Sequence, residues 1–116
     1  MLKKQALAVV QPDLCLVGGT TEGKKICDLA KIYDATVQVH VCGGPVSTAA
    51  SLHMEAVIPN FIIHKHHTFA LKSCIRELCT NDFQPKNGRF KVPDEPGLGQ
   101  ELNEDLARQY LACTIE

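Results

Sequence analysis

The sequence predicts an α/β fold, an incomplete TIM-type barrel, and three observations carry that expectation. Two short stretches, Val9-Val10-Gln11-Pro12-Asp13 and Thr36-Val37-Gln38-Val39-His40, each run from apolar residues to a chemically active side chain. A stretch with helical spacing separates them, as in consecutive β/α units that carry chemistry at the C-terminal strand ends. The third observation is length. The chain has 116 residues, enough for one small domain, whereas a closed barrel takes about 250.

The elements follow in order. Lys3 to Val9 reads as the tail of a helix, with Leu7, Val10 and Ala6 turned inward, and the first strand lies near 10–17, interrupted at Pro12-Asp13. Gly18-Gly19-Thr20-Thr21 turns the chain into a helix for which Thr21 and Glu22 offer a cap and a first-turn acid. Ile26, Leu29, Ala30 and Tyr33 recur at helical spacing. A second strand at 36–41 leads through Cys42-Gly43-Gly44 to Pro45, which suits a first helical turn. That helix carries Ala49, Ala50, Leu52, Met54, Ala56 and Val57 until Ile58-Pro59-Asn60 stops it. His53 and Met54 read as packing residues within it.

A third strand at 61–64 precedes a helix around Leu71 to Leu78. Short connections between alternating strands and helices favour parallel pairing. Beyond residue 80 the repeat lapses into a turn at Phe83 to Gly88, an edge-like strand at Arg89 to Pro93, a Pro/Gly-rich stretch and a terminal helix from Asn103 to Ala112. The expectation is one partial domain over 1–116, with three β/α units in 1–80 and a C-terminal tail in 81–116.

Composition removes several function classes. Twelve basic side chains face thirteen acidic ones, for a net charge of −1, and no Lys/Arg block is present to track a phosphate backbone, which argues against nucleic acid. The longest apolar runs are about five residues, far short of the roughly 20 a membrane span needs. The basic, apolar start of the chain runs straight into Gln11-Pro12-Asp13 without a small-residue cleavage site, which argues against a secretory leader. The six cysteines, Cys15, Cys27, Cys42, Cys74, Cys79 and Cys113, read better as small buried hydrophobes than as a disulfide scaffold. With no Cys-x2-Cys pair for structural zinc, the expected location is the cytoplasm.

Asp13 and His40 are the leading candidate pair. A carboxylate beside an imidazole holds its tautomer and raises its basicity, giving a general acid or base. The bland alternatives are a histidine bonded to a backbone carbonyl and an aspartate accepting loop amides. His64, His66 and His67 invite a metal site, because alternate strand residues share a face. No nearby carboxylate or cysteine completes it, so no metal ligand is assigned. Gly18-Gly19 and Gly43-Gly44 lack the spacing of phosphate-binding loops; Gly43 better serves a close approach of backbone to ligand.

The run Gln11-Pro12-Asp13-Leu14-Cys15-Leu16-Val17-Gly18-Gly19-Thr20-Thr21-Glu22 resembles the sixth-strand segment of the mandelate racemase/muconate lactonizing family of the enolase superfamily. The likeness continues through Val39-His40-Val41-Cys42-Gly43-Gly44-Pro45, Pro59-Asn60-Phe61-Ile62-Ile63-His64 and Val92-Pro93-Asp94-Glu95-Pro96-Gly97-Leu98-Gly99. It is nearest to the acid-sugar dehydratases, such as galactonate dehydratase. The resemblance implies the last three β/α units plus the C-terminal tail of such a barrel. It also implies proton abstraction α to a sugar-acid carboxylate, with Mg2+ stabilising the enediolate, and then loss of a β-hydroxyl as water.

By motif position His40 resembles the seventh-strand histidine and Asp13 its sixth-strand partner. The family's three magnesium ligands, its second base and its capping domain correspond to segments upstream of Met1, so no metal is expected on this chain alone. The start of the chain resembles the end of the helix before strand six, hence the expectation of a chain beginning mid-domain. The resemblance places substrate-binding roles at Lys65, His64 and Gly43. Relatives typically carry glutamate where Lys65 stands. The reversed charge either holds a substrate carboxylate or marks a lapse of the original reaction.

These readings lead to a fragment of a hydro-lyase that is inactive alone, with a racemase of the same family and a non-enzymatic or oligomerising module as alternatives. An open sheet of three strands would expose edges and an apolar former barrel face at Leu14, Val37, Val39 and Ile62. The expected partners are therefore copies of the chain or the missing N-terminal half, with a sugar acid bound only once the chain is complemented.

Overall fold

A computed structural model describes residues 1–110. Its sheet is an incomplete, open one, the architecture of a partial barrel. Strand β1 (Val9–Val10) pairs in parallel with β2 (Thr36–Val37), Val9 facing Thr36 and Val10 facing Val37. Helix α1 (Gly19–Ile32) connects them, and α2 (Pro45–Val57) follows β2. The third segment joins β2 through a single parallel bridge, Val37 to Phe61. Backbone bonds from Val37 N to Asn60 O (2.8 Å) and from Ile62 N to Val37 O (3.0 Å) hold it. The radius of gyration, 15.5 Å, exceeds the roughly 13 Å of a compact domain of about 100 residues.

The regular strands are shorter than the sequence predicts. After β1 the chain turns at Asp13, whose carbonyl accepts from Leu16 N and Val17 N, both at 2.9 Å, so 14–17 is a turn rather than strand. The β1–β2 ladder nevertheless outlasts its two formal pairs. Gln38 N donates to Val10 O (3.1 Å) and His40 N to Pro12 O (2.9 Å). Those two bonds hold the ends of both strands side by side.

Helix α1 begins earlier than Thr21. Gly18 is its N-cap, and Gly18 and Gly19 have φ of 97° and 84°, a left-handed geometry that glycine adopts without Cβ strain. Glu22 does lie in the first turn, paired with Lys25 at 2.6 Å. Pro45 opens α2 as expected, its fixed φ fitting the first turn. The N-terminal helix reduces to a 3-10 turn at Leu2–Lys4, ended by Gln5 in the left-handed region. The predicted helix at 71–78 is split between a 3-10 turn, Thr68–Leu71, and α3 (Ser73–Arg76). Instead of an edge strand at 89–93 there is a tight Lys86–Arg89 bridge around Asn87 and Gly88. The last helix, α4 (Glu104–Gln109), is capped by Asn103, which accepts from Leu106 N at 3.2 Å. The remaining predicted positions, Leu111 and Ala112, lie outside the described residues, as does Cys113.

The core sits between the sheet and its helices. Leu14, Val37, Val39 and Val41 pack with Cys27 and Ala30 of α1 and with Met54 and Ile58 around α2. The expectation that Leu14, Val37 and Val39 would line an exposed barrel face is therefore corrected: they point at the helices and are buried. Residues alternate across a strand, so the opposite face carries Gln11, Asp13, Gln38 and His40 and is polar. Of the predicted apolar face only Ile62 is exposed, at 50%, and its neighbour Ile63 at 58%. Three of the cysteines expected inside, Cys15, Cys42 and Cys74, are exposed, while Cys27 and Cys79 are buried. Leu29 is half-exposed although the spacing had placed it inward.

Candidate functional site

The polar face of the sheet is organised by one repeated spacing. The β1–β2 register sets positions 27 apart side by side (36 − 9). Gln11 and Gln38 share that offset and hydrogen-bond through their side chains. Asp13 and His40 share it too, with His40 Nδ1 2.7 Å from Asp13 Oδ2. The ladder bond from His40 N to Pro12 O fixes the second backbone immediately beside the first.

Asp13 is anchored on both oxygens. Oδ1 accepts the Cys15 amide at 2.9 Å while Oδ2 faces the imidazole. Its side chain is 11% exposed, that of His40 33%. Burial by itself would push the Asp13 carboxyl up, but the hydrogen bonds from His40 and from the Cys15 amide outweigh it and hold the group below its usual range. An ionised carboxylate only accepts, so His40 Nδ1 is the donor. The ring is then fixed in orientation and tautomer, leaving Nε2 as the nitrogen that can take up or deliver a proton. The arrangement is a carboxylate–imidazole pair, its carboxylate buried and its imidazole partly open to solvent.

Gly43 stands just beyond His40, where α2 begins. A Cβ there would lie 2.7 Å from Ser47 Cβ and 3.0 Å from its Oγ, so the loop after the second strand can follow its path only without a side chain. Lys65 is half-buried and pairs with no carboxylate among the described residues. His64 is built into the packing: its side chain is 8% exposed, Nδ1 lies 2.7 Å from Glu55 Oε2, and the ring centroid is 4.5 Å from that of Phe90. His64 therefore engages the helix side of the sheet, whereas Asp13 and His40 belong to the polar face.

His66 and His67 also have separate engagements. His66 Nε2 is 3.3 Å from Gln84 Oε1, and His67 caps the 3-10 turn by accepting from Phe69 N at 3.1 Å. Among the described residues no group of three or more His, Cys, Asp or Glu side chains could hold a metal ion, so the donor set does not fit a magnesium centre. No helix among them is long and apolar enough to cross a membrane.

Sequence reasoning passed over Gln11, Gln38 and Glu55. The first two carried a usable signal, because their separation equals that of Asp13 and His40. Glu55 carried none: it meets His64 only because α2 packs back on the third segment.

The comparisons with known proteins agree on one relationship. The family model described as Enolase C-terminal domain-like matches residues 1–106. The D-xylonate dehydratase of Haloferax volcanii is 35% identical over 111 residues, which cover 96% of this chain and 27% of the relative. The D-galactonate dehydratase of Pectobacterium atrosepticum is 33% identical over 111 residues, covering 91% of this chain and 29% of the relative. A solved structure from Salmonella enterica serovar Typhimurium, which carries a provisional dehydratase assignment, is 70% identical with a TM-score of 0.92. The match covers 97% of this chain and 28% of that one. The chain thus spans less than a third of the length of the proteins it matches.

Proposed function

The chain belongs to the Enolase C-terminal domain-like family, within the enolase superfamily and related to its acid-sugar dehydratases, and from that premise we propose that it supplies the acid–base pair of such a dehydratase. The observation that carries the reading is the 2.7 Å contact between His40 Nδ1 and Asp13 Oδ2. Loss of water from a sugar acid requires a proton to leave the carbon α to the carboxylate and a β-hydroxyl to depart. Hydroxide is a poor leaving group, so a proton must reach that oxygen as the bond breaks. His40, protonated at Nε2 and steadied at Nδ1 by Asp13, delivers it. Lys65 offers a positive charge to the substrate carboxylate, and Gly43 allows the strand-end loop to approach the sugar.

In the family chemistry magnesium stabilises the enediolate. The described residues offer no ligand set for it, so the pair is one part of a site whose metal and second base are supplied from elsewhere. The isolated chain is then inactive, and both activity and sugar-acid binding require the remainder of the barrel. That the two curated relatives act on a pentonate and a hexonate supports an aldonate substrate.

The test mixes this chain with the separately produced upstream remainder of the Salmonella relative and follows Mg2+-dependent formation of keto-acid product from an aldonate panel. Activity that appears on mixing and vanishes with His40→Asn is expected. A stable complex with no turnover on any aldonate would sink the assignment.

A second reading, a non-enzymatic self-associating module, draws on the exposed Ile62 and Ile63 beside a sheet edge held by a single bridge. Native mass separates the two: a closed homo-oligomer that gains nothing from the upstream segment favours the module.

A further inference from the structure

The 27-residue spacing that relates Gln11 to Gln38 and Asp13 to His40 recurs once more in the sequence, at Cys15 and Cys42 (42 − 15). Cys15 lies in the 14–17 turn that follows β1, and Cys42 lies in the loop that follows the second strand. The last ladder bond, His40 N to Pro12 O, lies just before them, and the next carbonyl, of Leu14, is taken by Gly19 N at 3.0 Å. Both cysteines therefore sit where the two strands give way to loops.

Two contacts locate the Cys15 sulfur. Its own amide is tied to Asp13 Oδ1 at 2.9 Å. Its Sγ lies 3.5 Å from the place a Cβ on Gly43 would occupy, and Gly43 is the neighbour of Cys42 in the chain. That sulfur packs at van der Waals distance beside the Gly43 position. Both thiols are free and exposed. Adjacent strands lie about 4.8 Å apart, and disulfide-bonded cysteines have Cα separations of about 4.4–6.8 Å. Cys15 Sγ already lies beside Gly43, the residue next to Cys42, so a bridge between the two loops calls for little backbone movement.

We propose that Cys15 and Cys42 form a redox modification site, a paired dithiol that closes to an intramolecular disulfide by exchange with a small-molecule disulfide such as oxidised glutathione. One cysteine thiolate attacks a glutathione sulfur, forming a mixed disulfide and releasing one glutathione thiolate. The second cysteine thiolate attacks the protein sulfur of that mixed disulfide and releases the other glutathione. Two protein thiols are oxidised, one glutathione disulfide is reduced to two thiols, and the two protons pass to the released glutathione. The link bridges the loops flanking Asp13 and His40. The argument rests on the Gly43 approach and on the two exposed thiols flanking the paired strand ends, independently of the dehydratase reading.

The full chain is incubated with oxidised glutathione under native conditions, quenched with an alkylating agent and digested with trypsin. Lys24, Lys25 and Lys31 place the two cysteines on separate peptides. The expected product is a cross-linked Cys15–Cys42 peptide pair lighter by two hydrogens. In Cys42→Ser, Cys15 should instead retain a glutathione adduct, because the resolving thiol is gone. Exposed Cys74 serves as internal reference and should carry glutathione without cross-linking to either. Separate glutathione adducts on Cys15 and Cys42 in the unmutated chain, or no reaction at either, would overturn the proposal.

Discussion

Glu55 and His64, nine residues apart, meet at 2.7 Å with side chains 5% and 8% exposed, fastening the third β segment to the last turns of α2. That segment has one bridge to the sheet, so the contact is a main restraint on its position. Removing one partner strands the other in a buried setting, at a cost of about 1–3 kcal/mol. Glu55→Ala should lower the unfolding free energy measured in urea by that amount. Glu55→Gln, which keeps an acceptor oxygen, should lose less, and Glu55→Ala with His64→Ala less than the sum of the single changes. Strict additivity would show that the two groups do not interact.

The Asp13 carboxyl is held below its ordinary range, and the sign of the pH effect follows. A carboxylate with a depressed folded-state value binds protons more readily when unfolded, so its stabilisation is complete above the unfolded value of about 3.9. It is lost as pH falls through the lower folded value. The unmutated chain should therefore lose stability on acidification below about pH 4, and Asp13→Asn should flatten the profile in that window. Identical acid-unfolding curves would remove the ionised partner from the description of His40. An NMR titration of the Asp13 carboxyl carbon reads the shift directly.

Gly23 shows packing overruling helix propensity. In an exposed helix interior Gly→Ala gains about 1 kcal/mol. Here Gly23 is buried and its added Cβ would overlap Leu14 Cδ2, itself in the core. Overpacking of this kind costs about 1–3 kcal/mol, so Gly23→Ala should lower thermal stability. Adding Leu14→Val, which trims the colliding branch, should recover part of the loss. A gain in stability from Gly23→Ala alone would show that Leu14 moves aside freely.

Asn60 ties three elements together. Its Nδ2 donates to Cys27 O at 3.2 Å and to Ala35 O at 3.0 Å, joining the third segment to α1 and to the start of β2. Asn60→Asp replaces a double donor by an acceptor facing two carbonyls, and should destabilise by about 1–3 kcal/mol. Hydrogen exchange of the Val37 and Ile62 amides, which bond across this junction, should speed up in the variant. Unchanged protection would place the junction's stability in its backbone bonds alone.

Local pattern made much of the architecture legible. Pro45 opens α2, and Pro59 follows its end, because proline's fixed φ suits a helix start and its missing amide ends one. Asp13 and His40 could be singled out because each closes an apolar stretch, and the 27-residue spacing that pairs them is written in the sequence. Tertiary structure decided which face each residue occupies. Leu14, Val37 and Val39 read as barrel lining but are covered by α1 and α2, since alternation fixes only that neighbours point oppositely, not which side the helices take. The strands shortened to two residues for a related reason: a strand is defined by its partner's hydrogen bonds, and Asp13 O is taken by the Leu16 and Val17 amides. Likewise His64 could be named from sequence, but its burial against Glu55 depends on α2 folding back over the third segment. The sequence by itself determined the order of units and singled out Asp13 and His40; the packing of helices on the sheet decided the facing of the strands and the company each histidine keeps.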